Sequence, residues 1–400
     1  MKQTICYKLK TTIEQEKHLK NLCFYATKLY NTDNYQRREA WDKTGKIPNA
    51  YAQKKALRMN HWFKLLSSQT AQEVCFVLQQ NYKSWFTLRK KDDKANPPRF
   101  KKKTELSTLK YFQQFKLLDG KIRLSMSRNY QSEQKIKLLE ISFIDWKRFD
   151  GTPKMCEIVN SKGEWYAHIV YETKEITPCL NDMVMAVDLG IINTAVTVDT
   201  DGCSKVYSGK QILAIQHYFN KERAKLTSTL TKQYPKRHHS KNLDILSKKQ
   251  SSQINHALHI HSKAIVSDCL NKGMKVLVAG DITDIRKDKN FGKVGNQKLH
   301  SWSFSKFIQQ LEYKCNRVGI RFVRVNEAYT SKTCSICGII KKSNRIHRGM
   351  YKCKKCGNLM NADVNGAKNI LKKYLRDFLS RSIGDVAMPS VKRITNVIPD

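Results

Sequence analysis

The feature that most constrains this chain is the stretch from Thr330 to Ile370, TSKTCSICGIIKKSNRIHRGMYKCKKCGNLMNADVNGAKNI. Cys334 and Cys337 form one CxxC pair and Cys353 and Cys356 a second, with fifteen residues (338 to 352) between them. Each CxxC turn sets two thiolates on one edge of a tetrahedron, so the four match a closed zinc site, with every position filled by protein. Such a metal is structural, not catalytic. A few residues later a helix opens near Asn361, carrying Asp363 in its first turn and Val364, Ala367, Ile370, Leu371, Tyr374 and Phe378 at helical spacing. Whatever else the chain does, it must fold a metal knuckle and an acid-bearing helix side by side.

A disulfide reading of the four cysteines is disfavoured, because nothing marks the chain as secreted. The start, MKQTICYKLKTT, lacks a signal-peptide core, and no run approaches the roughly 18 uninterrupted apolar residues of a membrane span. The sequence reads as that of a soluble intracellular protein with no membrane partner. The remaining eight cysteines are scattered singly, mostly in apolar surroundings where Cys behaves as a small hydrophobe. The charge is lopsided: 74 Lys and Arg against 34 Asp and Glu give +40, spread along the whole chain. Such an excess calls for a polyanion, and nucleic acid is the favoured partner. Lys341, Lys342, Arg345 and Arg348 around the knuckle are candidate nucleic-acid contacts, and Arg99 with Lys101, Lys102 and Lys103 are assigned to phosphates.

A length of 400 residues implies two to four structural units. Residues 1 to 12 alternate as a strand, and Thr12 with Gln15 makes a capping box for a helix carrying Leu19, Leu22, Cys23, Ala26 and Leu29. A second helix is predicted from about Thr70 to Leu88, and KKDDKANPPRFKKK breaks it at a first domain boundary. From about Leu106 to Glu172 short alternating runs separated by turn residues indicate a β-rich domain. In LKYFQQFK, Tyr111, Phe112 and Phe115 are read as barrel core in preference to base-stacking groups. Beyond Met183 come the buried strands MVMAVDLG, NTAVTVD, MKVLVAGDI and IRFVRVNE. A basic helical stretch from about 211 to 272 and a helix capped by Ser303 and stopped by Gly319 lie between them. His256, His259 and His261 are not spaced to share one helical face as metal ligands.

Three acids stand where elements begin or end: Asp188 after MVMAV, Asp281 after KVLVAG, and Asp363 in the last helix's first turn. Each alone is an ordinary turn former or cap. Gathered at one end of a sheet, they could hold two Mg²⁺ ions for phosphodiester hydrolysis.

Taken together and in order, AVDLGIINTAVTVD, NQKLHSWSFSKFIQQLEYKCNRVGIRFVRVNEAYTSKTCSICG and NADVNGAKNI resemble the TnpB family, transposon-encoded RNA-guided DNA endonucleases related to Fanzor proteins and type V CRISPR effectors. The resemblance implies a multi-domain α+β fold: a β-barrel (wedge-like) domain with an inserted helical recognition domain, then an RNase H-like (RuvC) α/β domain interrupted by the four-cysteine zinc knuckle. In residue terms it implies a first barrel strand at 1–12, a helical recognition domain at 13–96 and the rest of the barrel at 97–180. The RuvC-like core then occupies 181–329 with a helical insertion at about 211–272, followed by the zinc-binding domain at 330–360, the final RuvC helix at 361–380 and a tail at 381–400. It further implies Mg²⁺ as catalytic cofactor, a guide RNA encoded near the gene, and double-stranded target DNA bearing a short adjacent motif. A prokaryotic host places such a protein in the nucleoid or cytoplasm, and a eukaryotic relative would act in the nucleus.

One residue departs from the family pattern. Its usual second catalytic residue is a Glu after the strand written here KVLVAG, where this chain has Asp281. Glu327, at the end of IRFVRVN, is the alternative. The expected magnesium ligands are therefore Asp188, Glu327 and Asp363, with Asp281 assisting or merely turning the chain. Two other functions fit the same features: a nuclease-inactive RNA-guided DNA-binding protein acting as a repressor, and a DDE-type transposase.

Overall fold

The computed structural model describes residues 2–161, 163–173, 183–281, 292–347, 349–378 and 390–392. The chain divides into two compact units, residues 1–174 and 175–400.

The first unit is built around a seven-stranded antiparallel sheet. Its strands are β1 (Lys2–Lys10), β2 (Leu109–Tyr111), β3 (Phe115–Leu118), β4 (Lys121–Leu124), β5 (Leu139–Phe143), β6 (Thr152–Ser161) and β7 (Glu164–Glu172), in the order β2-β6-β7-β1-β5-β4-β3. β1 is the corner strand. Residues 2–8 pair with β7, and Leu9 and Lys10 pair with β5, so the sheet curls toward a barrel. Between β1 and β2 lie the helices α1 (Ile13–Thr44), α2 (Ala50–Ala56), α3 (His61–Leu65) and α4 (Ser68–Arg89). The capping box read from sequence is present: Gln15 N–H donates to Thr12 Oγ1 at 3.2 Å, and Gln15 Oε1 accepts from Thr12 N–H at 2.9 Å. A short helix α5 (Arg128–Gln134), not anticipated, buries Tyr130 against His18 of α1, Oη to Nδ1 at 2.9 Å.

Helices and sheet share one core, which includes Leu19, Leu22, Leu78, Tyr111, Ile141 and Ile169. Of the three aromatics of LKYFQQFK, Tyr111 and Phe115 are buried, but Phe112 is exposed. It directly follows the last residue of β2, where strand alternation turns it away from the core.

The second unit is an RNase H-like α/β layer structure. Its sheet contains β8 (Val184–Leu189), β9 (Asn193–Asp199), β10 (Ser204–Ser208), β11 (Val276–Asp281), β12 (Arg321–Asn326) and β16 (Ser390–Lys392), in the order β12-β11-β8-β9-β10-β16. The trio β12, β11 and β8 is parallel, and β9 runs antiparallel between β8 and β10. Residues 390–392, expected as tail, instead add a parallel edge strand to β10. The helices are α6 (Lys210–Gln233), α7 (Lys241–Asn271), α8 (Gly292–Ser301), α9 (Phe304–Arg317) and α10 (Ala362–Phe378). The expected helical stretch at 211–272 is thus two helices, parted at PKRHHS.

Alternation along the central strands sorts the core into two faces. Met185, Val187, Leu277 and Ala279 pack with α7 and α9 residues such as Leu258, Ile265, Phe307 and Leu311. Val184, Ala186, Val276, Val278 and Val325 pack instead with Val364, Ala367, Ile370 and Leu371 of α10. Between β12 and α10 the chain folds a small three-stranded sheet of β13 (Arg345–His347), β14 (Met350–Lys352) and β15 (Leu359–Asn361), which carries the cysteine pairs. Among the described residues no helix is long and apolar enough to cross a membrane.

Candidate active site and metal centre

The cysteines converge as their spacing predicts. All four sulfurs lie within 4.8 Å of one another, with Cys334 to Cys356 at 3.7 Å and Cys337 to Cys353 at 3.6 Å. A tetrahedron of thiolates with metal–sulfur bonds of about 2.3 Å has edges of about 3.8 Å, so these separations are those of a metal site and too long for disulfides of about 2.05 Å. A glycine follows each CxxC, and its backbone makes the knuckle turn. Gly338 (φ +74°) donates its N–H to Cys334 O, and Gly357 (φ +72°) donates to Cys353 O. A left-handed backbone at these points suits glycine and little else. Hydrogen bonds from the backbone N–H groups of Cys356 and Lys355 hold the Cys353 thiol down to about 6, which favours the thiolate a metal requires. Behind it, Asn344 is buried, donating to Tyr351 Oη at 3.3 Å and reaching Cys353 Sγ at 3.8 Å.

The knuckle is fastened to α10 by a row of asparagines. Asn361 caps the helix, its Oδ1 accepting from the N–H groups of Asp363 (2.9 Å) and Val364 (3.3 Å). One turn on, Asn365 accepts from Ser335 N–H at 2.9 Å and donates to Thr333 O at 2.8 Å. A turn later, Asn369 donates to Thr330 O and Thr333 O at 2.8 and 2.7 Å. The spacing of four puts all three on one helix face. Neither Asn365 nor Asn369 was picked out from the sequence, although NADVNGAKN displays that period.

The candidate carboxylates are sorted by strand alternation. Asp188 on β8 has the parity of Val184 and Ala186, and so belongs to the face covered by α10. Glu327, just past β12, has the parity of Val323 and Val325 and belongs to the same face. Asp281 has the parity of Leu277 and Ala279, which pack on the opposite layer, and it is exposed at the strand's end. At this end of β11 the residue that shares the face of Asp188 is Gly280, which pairs with Val325 of β12.

Two glycines make room for these acids. A Cβ on Gly280 would stand 1.9 Å from Glu327 Oε1 and 2.4 Å from its Cδ, so the Glu327 carboxyl fills the space a side chain at 280 would take. A Cβ on Gly366 of α10 would stand 2.5 Å from Asp188 Oδ2. Burial, then the charges of Glu327 and Asp363, push the Asp188 carboxyl well above the usual carboxylate range, while Arg345 pulls it down. Asp363 is oriented by Asn193 of β9, whose Nδ2 donates to Oδ2 at 2.8 Å, and is paired with Arg345 of β13 at 3.3 Å. Asn193, Gly280 and Gly366 are site residues that motif reading missed.

Asp188, Glu327 and Asp363 therefore form one electrostatic cluster, with Asp281 on the other side of the sheet. Among the described residues only the four thiols bring all their donor atoms within 4.8 Å, so the carboxylates are spaced more widely. Carboxylate oxygens are the donor type hard divalent cations prefer, but two ligands of one Mg²⁺ stand at most about 4.2 Å apart, so the three acids as placed do not close around a single ion.

The basic candidates divide. Lys102, Lys103, Lys341 and Lys342 are exposed, and Arg99 is exposed with an ion pair to Glu105 at 3.0 Å. Lys101 is turned inward: its amine donates to Ser107 Oγ at 2.8 Å and lies 4.6 Å from the Tyr30 ring centre, and burial lowers its pKa. Its amine is thus engaged within the first unit, unlike the four exposed lysines. Arg348 lies outside the described residues. The histidines of α7 do not converge: His261 is buried, His259 sits beside Tyr313, and His256 is exposed.

The chain is similar to known proteins over much of its length. Residues 168–286 match the family model OrfB_IS605, described as a probable transposase, and residues 304–370 match the Cas12f1-like TNB domain. The chain is 25% identical over 346 residues to the putative RNA-guided DNA endonuclease InsQ of Escherichia coli (strain K12), covering 85% of this chain and 82% of that one. It is 24% identical over 403 residues to the TnpB-like protein ORF457 of Acidianus two-tailed virus, covering 90% and 84%. To the CRISPR-associated endodeoxyribonuclease Cas12f1 of Sulfoacidibacillus thermotolerans it is 27% identical over 237 residues, 56% of this chain, and it spans about half (53%) of that protein's length. The fold is that of Cas12f1 as seen in its complex with single-guide RNA and target DNA, with a TM-score of 0.66 at 14% identity, covering 92% of this chain and 98% of that one.

Proposed function

We propose that this TnpB-like chain is an RNA-guided DNA endonuclease that hydrolyses phosphodiester bonds of target DNA at the cluster of Asp188, Glu327 and Asp363. The observation that carries the proposal is the delivery of three acids from separate elements to one face of the sheet, with glycines at 280 and 366 leaving room for two of them. Divalent cations held by these carboxylates would supply an activated water and neutralise charge developing on the phosphate. The chain's own groups do the rest. Asn193 fixes the rotamer of Asp363, and Arg345 places a permanent cation at the rim of the cluster, where an anionic phosphate would enter. A zinc ion held by the thiolates of Cys334, Cys337, Cys353 and Cys356 would order the small sheet that carries Arg345 beside α10.

The charge of +40 suits a protein that holds both an RNA and a DNA backbone. In this reading the guide RNA, encoded near the gene, reads the target by base pairing. Protein contacts from Arg99, Lys102, Lys103, Lys341 and Lys342 go to phosphate and shape. The helices of the first unit and its curled sheet would read the short motif beside the target. A transposon-borne gene and a nucleoid or cytoplasmic setting follow from the same reading.

The test is cleavage of a guide-matched plasmid by protein co-expressed with its flanking noncoding RNA, in Mg²⁺. Wild type should cut, Asp188→Ala and Glu327→Ala should not, and Asp281→Ala should remain largely active. A wild type that binds the matched target but never cuts would replace this reading with that of a nuclease-inactive RNA-guided binder.

A further inference from the structure

Between Glu327 and the first cysteine the chain runs Ala328, Tyr329, Thr330, Ser331, Lys332, Thr333. The Thr330 N–H donates to Glu327 O at 3.1 Å, and the Thr330 hydroxyl donates to the same oxygen at 2.9 Å. This closes a four-residue turn whose third residue is Tyr329, with φ +68°. A turn with a positive φ at that position ordinarily carries glycine or asparagine, since the Cβ of any other residue is crowded there. Among the described residues the only other non-glycine with positive φ is Lys135, which ends α5 at an ordinary helix stop.

Burial does not account for the tyrosine either, because its side chain is 63% exposed. The turn is nevertheless held firmly. Tyr329 O accepts from the N–H groups of Lys332 and Thr333 and from the Thr333 hydroxyl. Lys373 of α10 grips the preceding segment, donating to Asn326 O at 3.0 Å and Ala328 O at 2.6 Å. The Lys332 amine stands 5.8 Å from the centre of the Tyr329 ring. An exposed aromatic with a cation beside it is thus fixed in a strained backbone two residues from Glu327.

We infer that Tyr329 is a stacking platform for one unpaired base of the DNA strand delivered to the carboxylate cluster, with Lys332 taking the adjacent phosphate. The inference rests on the nuclease reading above. An aromatic face with a neighbouring cation is the usual means of holding single strands without reading their sequence. A duplex keeps its base faces stacked on one another, so the site selects an unpaired strand over a paired one. Strain concentrates where geometry serves function. Here it would serve to present the ring, since glycine would relax the turn and remove nothing from the core.

The test uses full-length protein with its RNA, in an Asp188→Ala background that leaves the strand uncut, and single-stranded oligonucleotides carrying 2-aminopurine at successive positions. Tyr329→Phe should quench the fluorophore at the same position as the parent. Tyr329→Gly should lose that quenching and bind the strand about tenfold or more weakly, with a melting temperature unchanged or raised. Equal quenching and binding by Tyr329→Gly would overturn the inference. So would a Tyr329→Gly protein that melts earlier while Tyr329→Phe binds as weakly as it does, because that pattern belongs to a structural hydroxyl. Parallel cleavage by the Asp188-intact proteins keeps the two readings apart: a wild type that never cuts sinks the nuclease reading, while quenching still decides the stacking.

Discussion

Gly280→Ala should abolish the proposed cleavage without unfolding the protein. The added Cβ would lie 1.9 Å from Glu327 Oε1, and an ordinary van der Waals contact begins at 3.4 Å, so the carboxyl must retreat by about 1.5 Å. The atoms it meets, Oε1, Cγ at 2.2 Å and Cδ, all belong to the Glu327 side chain and none to backbone, so the side chain can turn away from Cγ outward while the strands keep their places. The backbone contribution of Gly→Ala in a strand is itself favourable by about 0.5–1 kcal/mol. Stability should therefore stay within about 1 kcal/mol of wild type. Catalysis has no such slack, since displacing a reacting group by about 1 Å costs on the order of 100-fold, or about 2.7 kcal/mol of barrier.

The assay is single-turnover cleavage of guide-matched DNA in saturating Mg²⁺, with a thermal melt on the same preparations. Gly280→Ala should fall about 100-fold, within a few-fold of Glu327→Ala, and Asp281→Ala should stay within a few-fold of wild type. Moving the acid to the strand itself, with Gly280→Glu in a Glu327→Ala protein, should recover about tenfold or more of the lost rate. If Gly280→Ala cuts within threefold of wild type while melting normally, the Glu327 carboxyl is not needed where the structure puts it, and the assignment of the third ligand is wrong.

Three further outcomes are expected. The folded protein should contain one zinc per chain by elemental analysis, and Cys353→Ser should lose both the zinc and cleavage, because the clamp on α10 runs through the knuckle. Arg345→Ala should cut about 100-fold more slowly, with Arg345→Lys between it and wild type; equal rates in all three would show that the rim cation is idle. In the first unit, Arg37 is fully buried, its Nε donating to Asp33 at 2.8 Å and its other nitrogens to Pro48 O and Cys75 O. Arg37→Ala should cost about 3–5 kcal/mol by urea unfolding, since it strands a buried carboxylate.

Why some of this was legible in the sequence and some was not follows from how local each signal is. The CxxC pairs, the Thr12–Gln15 capping box and the strand MVMAVDLG are set by spacings of two to four residues, and each formed where it was read. The face that Asp188, Gly280 and Glu327 share is different in kind. Parity along each strand is visible in VLVAGD and RFVRVNE, but which parity faces α10 depends on the parallel register of β8, β11 and β12, a non-local property. Asp281 drew notice because it is an acid at a strand end. Gly280 mattered more, and it escaped notice because its contribution is the absence of a side chain. Arg37 escaped for a similar reason: a basic residue in a polar helical run announces neither its burial nor its partners on α4 and beyond Gly45.

The proximity of the knuckle to Asp363 has its explanation in the asparagine row. A metal site alone would hold its own loops and leave α10 free to slide or rotate on the sheet. Because Asn365 and Asn369 bind Ser335, Thr333 and Thr330, all within five residues of Cys334, the ordering of the cysteine loop is passed to the helix that carries Asp363. Arg345 returns the connection from the far side of the knuckle. The coupling has a measurable signature. Asn365→Ala with Asn369→Ala should retain zinc, because no thiolate is touched, yet cut more slowly and melt at lower temperature. A double variant that keeps wild-type cleavage with its zinc in place would mean the knuckle and the carboxylates are neighbours in the fold without being mechanically joined.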